Sequence, residues 1–571
     1  MAGECDVSGS NDAAAFTLRI HRGDGMALLG MNWRDGRPPD DLVGFGIEYK
    51  EPDGDRFFPV KNRLSFSGVD NRKNPAELSS LRSPIQMFRW VHFPRNANKD
   101  GAFTYRVTPV FMNAQNEIIQ GEPQQADIEL RRETYPGQLN VTFTRGFVSS
   151  QAFVDRYGGA EGIKTLLPGK GDEPLHFKPT HPEAEEALEW MGFEARSAVF
   201  ELLDQAIADP KAQVRLACYD LDVPELVERL ERLGPRLKII IDDSKPHGDE
   251  DSGETLSAAR LAISAGADQV KRQHMLGLQH NKMVVVDGPT VKKAVGGSTN
   301  FSWRGLYVQN NNACIVSGES AIKPFMAAFE DFWNHGDSSF GKTPSALWSD
   351  LGLDGIDARV TFSPHSAGNA VLQSIADDID TTSSSLFYSL AFLSQTTGVI
   401  PDALRRVTAM DGVFVYGISD KQAGIAIEKS GGNVRSVKAS ALTKTIPSPF
   451  KEEASGLAGG VGTRMHHKFV VIDFDKPEAR VWFGSYNFSN PADRKNGENL
   501  LLIKDRRVAV SYMIEALRIF DHYQFRVAQE DAKTAKTKLE LARPPRQPGE
   551  MPWWAPFYDN PQKARDRILF S

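Results

Sequence analysis

His280-Asn281-Lys282-Met283-Val284-Val285-Val286-Asp287, followed by Gly297-Ser298-Thr299-Asn300-Phe301-Ser302, decides how this chain reads. Met283 to Val286 form a short, continuous apolar run, the texture of a strand buried on both faces. Along a strand, residues i and i+2 share a face, so His280 and Lys282 point the same way. A buried His–Lys pair on one face is costly unless something anionic compensates it, and a phosphate does so. The Gly-Ser-x-Asn turn brings a hydroxyl, Ser298, and an amide, Asn300, to the end of the neighbouring strand. Both are donors suited to phosphoryl oxygens.

The pattern returns as His466-His467-Lys468-Phe469-Val470-Val471-Ile472-Asp473 and Gly484-Ser485-Tyr486-Asn487-Phe488-Ser489. Phe177 stands 103 residues before His280, and Phe362 stands 104 before His466. The glycines follow their histidines by 17 and 18 residues. A single His-x-Lys-x4-Asp is weak evidence, because a structural histidine beside a surface lysine is common. Two copies at matching offsets, each with its Gly-Ser-x-Asn-Phe-Ser, make an internal repeat. The texture around each copy is α/β. Strands are expected at Val214–Tyr219, Leu237–Asp242, Leu386–Leu390, Val413–Ile418 and Val481–Gly484, between helical stretches such as Pro224–Leu233 and Asp402–Ala409.

The paired motifs resemble the phospholipase D superfamily over roughly Phe177 to Phe570. The resemblance implies a phosphodiesterase of two pseudo-symmetric α/β halves, mixed sheets flanked by helices, whose motifs meet at one active site. It implies His280, Lys282, His466 and Lys468 as catalytic residues, with Ser298, Asn300, Ser485 and Asn487 binding phosphate. One histidine attacks phosphorus and forms a phosphohistidine; the other protonates the leaving alcohol, then activates water or an acceptor alcohol. It implies no metal and no cofactor. The residues fit that chemistry unaided, since imidazole serves as nucleophile, acid and base near neutral pH.

In that superfamily an acidic residue usually bonds the back nitrogen of each histidine. Glu498 stands 32 residues after His466, and the same step from His280 lands on Asn312. A carboxylate behind imidazole favours the protonated ring. The expectation is therefore His466, backed by Glu498, as general acid, and His280, backed by Asn312, as neutral nucleophile. Asp287 and Asp473 close their strands and are expected to hold turns behind the site. Ser302, Ser489, Phe301 and Phe488 read as framework. His467 lies on the opposite strand face and reads as non-catalytic.

The remainder sets boundaries. The chain has 571 residues, a net charge of −7, and apolar and charged fractions of 40% and 25%. These are globular values, and the acidic balance argues against a nucleic-acid coat protein. Three scattered cysteines make neither a disulfide framework nor a Cys-based zinc site. No run approaches the roughly 20 apolar residues of a membrane span. No signal sequence is visible at the N-terminus, which points to a cytoplasmic protein, with export by other means left open. Residues 1–165 alternate with period 2, as at Val43, Phe45, Ile47 and Tyr49, and again at Leu139, Val141 and Phe143. They read as an all-β sandwich of immunoglobulin or fibronectin type, with Trp33 or Trp90 as its core tryptophan. The two halves follow at 166–345 and 346–571. The Gly431–Arg464 stretch reads as a surface loop or a lid. The aromatic tail, Trp553 to Tyr558, reads as docking back onto the protein, with a lipid-touching role as the alternative. Both motifs in one chain point to a monomer acting on a phosphodiester, a phospholipid at a transiently contacted membrane surface in preference to nucleic acid. The alternatives are a nuclease of the same superfamily and a non-catalytic scaffold.

Overall fold

The computed structural model describes residues 5–571 apart from 69–74, 95, 131–132, 147–152, 154–155, 159, 170–172, 246, 337–338, 422–423, 432 and 439–464. It comprises two compact units, residues 133–509 and residues 1–132 with 510–571.

The larger unit is a mixed α/β body with two sheets. The seven-stranded sheet runs in the order Leu139–Phe143, Asn312–Ser317, Lys292–Gly297, Lys282–Asp287, Gln213–Cys218, Leu237–Ile241, Val270–Arg272. The nine-stranded sheet carries the same arrangement at its centre: Asp357–Ser363, Glu498–Lys504, Arg480–Gly484, Lys468–Ile472, Ser385–Leu390, Phe414–Lys421. Each motif strand is antiparallel to the Gly-Ser strand on one side and to an apolar strand on the other. That apolar strand is in turn parallel to the next. The expected repeat is thus a repeat of topology. The motif strands are buried along almost their whole length. Helices such as Pro224–Leu233 and Val399–Thr408 bury one apolar face, Leu226, Val227 and Leu230 in the first and Ile400, Leu404 and Val407 in the second.

Gly297 and Gly484 end the Gly-Ser strands with φ of 132° and 153°. A Cβ at either would collide with the carbonyl oxygen of Asn312 or Asn499 on the adjacent strand. Only glycine fits there, and that close approach delivers the Ser-x-Asn turn to the site.

The smaller unit has a four-stranded and a five-stranded antiparallel sheet that share one apolar core, including Phe16, Phe45, Phe88, Phe103 and Tyr105. Trp33 and Trp90 are only partly buried against it, and neither is its central tryptophan. The C-terminal tail supplies that part. Trp554 is buried in the core, and Trp553 stacks on Phe88 at 5.3 Å. The indole N–H groups of Trp553 and Trp554 donate to the Leu42 and Pro39 carbonyls. Arg89 is buried between Asp521 and Asp566.

Two boundaries differ from the sequence reading. Leu139–Phe143, expected as a sandwich strand, pairs antiparallel with Asn312–Ser317 at the edge of the seven-stranded sheet. Alternation marks a half-buried strand without saying which sheet accepts it. Residues 510–571, expected with the second half, cluster with residues 1–132, because the tail's aromatic and acidic side chains complete that core. Within Gly431–Arg464, Asn433–Lys438 forms the outermost strand of the nine-stranded sheet. Residues 439–464, part of the expected lid, lie outside the described residues.

Candidate active site

The two halves meet where their motifs do. Gln279 bridges to Gly497, and Asn310 to Met465, in a pseudo-symmetric pair of β-bridges. The Asn499 amide oxygen accepts from the Gly297 N–H at 2.9 Å, locking one Gly-Ser strand to the other half. This seam brings the rings of His280 and His466 to 6.3 Å between centroids, 69° apart, both 4% exposed.

Each ring is held from behind by the opposite half. His280 Nδ1 lies 2.8 Å from Glu498 Oε2, and His466 Nδ1 lies 2.8 Å from Asn311 Oδ1. The Asn311 amide nitrogen donates to the Gly305 carbonyl, which fixes its oxygen toward His466. His466 therefore donates through Nδ1 and keeps its Nε2 lone pair. Burial pushes both histidines below the usual imidazole range. At His280 the Glu498 charge opposes that drop. At His466 the charges of Lys468, Lys282, His280 and Arg304 deepen it. Lys282, also buried, is pushed down to about 8 by desolvation, against the raising influence of Glu498, Asp220 and Asp242. The Lys282 ammonium donates to the His280 carbonyl and lies 4.9 Å from the Tyr219 ring centroid; Lys468 donates to the His466 carbonyl. Burial thus disposes both imidazoles to the neutral form, beside the amines of Lys282 and Lys468, an arrangement suited to an anion.

Comparisons with known proteins match both halves of the chain. The family described as "Cardiolipin synthase, PLD-like domain" matches residues 203–333 and 375–520, one match around each motif. The chain is a member of the phospholipase D superfamily. Phospholipase D of Rickettsia prowazekii (strain Madrid E) is 44% identical over 48 residues, 8% of this chain and 22% of that one. Phospholipase D of Rickettsia bellii (strain RML369-C) is 28% identical over 141 residues, 24% of this chain and 58% of that one. Mitochondrial cardiolipin hydrolase of Chlamydomonas reinhardtii is 26% identical over 113 residues, 20% and 46% of the two chains. The chain thus spans between about a fifth and three-fifths of the length of these relatives. Among solved structures, phosphatidylserine synthase of Haemophilus influenzae Rd KW20 aligns over 60% of this chain and 92% of its own, with 12% identity and a TM-score of 0.41.

Within this superfamily frame, the expected backing of the histidines is corrected. Glu498 stands behind His280, not behind His466. The acceptor behind His466 is Asn311, not Asn312. The Asn312 amide instead lies 3.5 Å from His467, and its oxygen is buried without a partner among the described residues. Counting along the chain misses both points. A fixed step of 32 residues ignores that the first copy is one residue shorter, which the glycine offsets of 17 and 18 already record. The exchange between halves follows from the two-fold seam, which no single copy displays.

Ser298 and Ser485, expected on phosphate, are engaged inside the protein. The Ser298 hydroxyl donates to Asn311 and accepts from the Asn312 N–H; Ser485 accepts from the Asn499 N–H and amide. They hold the positions behind the rings. Asn300 and Asn487 differ, because each has a buried side-chain oxygen without a partner among the described residues. Asp473 accepts the N–H groups of Ser383, Ser384 and Ser385, and Asp287 pairs with Lys292 at 2.5 Å, so both hold turns. Ser302 and Ser489 cap the short helices that follow each motif.

Sequence reasoning passes over two aromatics and a cluster. The Tyr219 ring lies 4.9 Å from His280, and Phe392, at φ 63°, lies 6.3 Å from His466. Asp220, His247 and Glu254 lie within metal-holding reach of one another beside Tyr219. The ring nitrogens of His247 face Asp220 at 3.2 Å and Asp242 at 3.0 Å.

Proposed function

We propose that the protein is a phospholipase D-type enzyme that cleaves a phosphodiester lipid at a membrane surface through a phosphohistidine on His280. The observation that carries this reading is the pair of imidazoles 6.3 Å apart, each anchored through Nδ1. Neutral His280 attacks phosphorus through Nε2. The P–O bond to the leaving alcohol breaks, and the alkoxide takes a proton from His466. His466 takes that proton from solvent as the bound phosphodiester's negative charge offsets the two lysines, and the second step restores it. In the second step His466 takes a proton from water or an acceptor alcohol, whose oxygen attacks phosphorus. The P–N bond breaks and neutral His280 returns. Lys282, Lys468 and the amides of Asn300 and Asn487 stabilise charge on the phosphoryl oxygens.

The division of roles follows from the backing groups. Attack places positive charge on the nucleophile's ring, and a carboxylate behind it stabilises that charge as it forms. This favours His280, with Glu498 behind it. A general acid begins charged and ends neutral, and a carboxylate behind it weakens it as an acid. The amide behind His466 leaves it the stronger donor. One chain supplies both histidines, so a monomer is the catalytic unit in this reading.

The test is turnover of fluorogenic phosphatidylcholine in vesicles beside plasmid and single-stranded DNA, with EDTA present. Lipid turnover that survives EDTA, and is abolished in folded His280→Asn and His466→Asn, is expected. DNA cleavage without lipid turnover would replace this reading with a nuclease. Phosphohistidine is labile in acid, so the reaction is quenched in base; peptide mapping of His466→Asn is then expected to find the phosphoryl group on His280.

A further inference from the structure

The first half holds a buried charged cluster that the reaction above leaves without a task. His247 lies in the loop after Leu237–Ile241. Its Nδ1 is 3.0 Å from Asp242 Oδ2, and its Nε2 is 3.2 Å from Asp220 Oδ1. A ring that donates from both nitrogens is an imidazolium. Burial opposes that charge, but the bonds to Asp220 and Asp242 and the nearby Glu254 prevail, and its pKa is pushed up to about 10.

The two carboxylates reach onward to the two limbs of the first motif. Asp242 Oδ1 accepts the N–H of Gln279, the residue before His280, at 2.6 Å. Asp220 Oδ2 accepts the Ser302 hydroxyl at 3.0 Å, and Ser302 caps the helix after the Asn300 turn. Asp220 also follows Tyr219, whose ring faces His280 and Lys282. The second half has no such device among the described residues. Tyr219 and Ala391 make matching backbone bonds to Asn281 and His467, so Phe392 stands where Asp220 does. Met465 stands where Gln279 does.

We propose that His247 is a positioning residue for the phosphoryl transfer, a permanent cation that clamps Asp220 and Asp242 so that the first motif is held at both ends and His280 stays neutral. This rests on the reading of His280 as a nucleophile. Among the described residues, the charged and titratable groups facing the cluster are Asp220, Arg304, Asp242, Glu254, Asp222, Cys218, Tyr219, Lys282 and Arg272, whose guanidinium bonds the Asp242 and His247 carbonyls. With His247 neutralised, Asp220 and Asp242 lose the cation that bridges them and keep only the partial offset of Arg304, Lys282 and Arg272, beside the segment that carries His280. They then favour its imidazolium, which cannot attack.

The test compares His247→Gln with His247→Lys, which keeps the charge. In His247→Gln the acid limb of kcat/KM is expected to move up by about one pH unit. Its kcat at pH 7 is expected to fall about tenfold or more, with KM nearly unchanged. His247→Lys is expected to return the limb to its wild-type position. NMR titration of labelled histidine, with His280 assigned from His280→Asn, is expected to show the same upward shift in His247→Gln and its reversal in His247→Lys. A folded His247→Gln with wild-type limb and titration overturns the proposal. If that variant does not fold, a displaced limb in folded His247→Lys overturns it as well. Loss of the wild-type limb on EDTA dialysis, restored by zinc, would replace the clamp with a metal site. A wild-type protein inactive on every phosphodiester refutes the proposed function, and the NMR titration still decides the role of His247.

Discussion

Glu498 is fully buried, and its carboxylate reaches His280 across the seam. It raises the pKa of both His280 and Lys282 against burial, so its removal has a definite sign at each. For the nucleophile to act, His280 must be neutral and Lys282 protonated. With His466 protonated as general acid only below the usual imidazole pKa, the wild-type kcat/KM should rise as His280 loses its proton, fall as His466 loses its own, and fall more steeply above about 8 as Lys282 does. In Glu498→Gln the His280 and Lys282 pKa values drop further, so the acid limb and the steeper fall set by Lys282 should both move to lower pH. The maximum should fall about 10- to 100-fold, the usual effect of losing a partner behind a reacting group. A Glu498→Gln profile displaced toward alkali would contradict the cross-half pairing. The candidate residue types were legible in the sequence, because His-x-Lys on an apolar strand buries two polar groups at a cost that an anion offsets. Their partners were not, because a hydrogen bond between residues 218 positions apart leaves no periodicity to read.

The turns matter more than the strands at the scale of the element. Asp473 sits at φ 52° and draws three consecutive N–H groups, from Ser383, Ser384 and Ser385, into one carboxylate, which anchors the start of the Ser385–Leu390 strand. That strand pairs directly with Lys468–Ile472. Bonds from backbone N–H groups to a charged acceptor are worth roughly 1.5–3 kcal/mol each when formed singly, and these share one carboxylate. Asp473→Ala should therefore lower the unfolding free energy by about 3 kcal/mol, measured by urea denaturation. Asp287, partly exposed and paired with Lys292, should give well under about 1 kcal/mol in the same assay. The two aspartates occupy the same motif position, so the sequence assigns them one value, and their burial and partners separate them. Strand placement shows a similar limit. The apolar runs at Leu237–Ile241 and Lys468–Ile472 announced buried strands, whereas Leu139–Phe143 announced a strand with no indication of its sheet.

Over the whole molecule, the ends of the chain complete what its beginning starts. Residues 1–132 supply two sheets, but their common core is closed by Trp554 and Ala555, with Trp553, Phe557 and Tyr558 packed against it. Arg89, almost without exposure, is neutralised by Asp521 and Asp566. Synthesis from residue 1 onward therefore cannot finish this unit until Trp553 to Tyr558 exist, and contacts of such long range form slowly. No local pattern reports this, because alternation in residues 1–132 looks the same with or without the tail. The consequence is testable without reference to catalysis. Truncation of Trp→Ala type in a core usually costs about 3–5 kcal/mol, so Trp554→Ala should destabilise the smaller unit by that amount. Removal of residues 553–571 also takes Asp566 away from Arg89 and exposes the Phe45–Phe88 face. Amide hydrogen exchange of this shortened chain should be fast throughout Phe16–Trp33 and Leu42–Lys50, with dye binding typical of an exposed apolar core. Protection in those strands equal to that of the full chain would mean that the two sheets close their core without the tail.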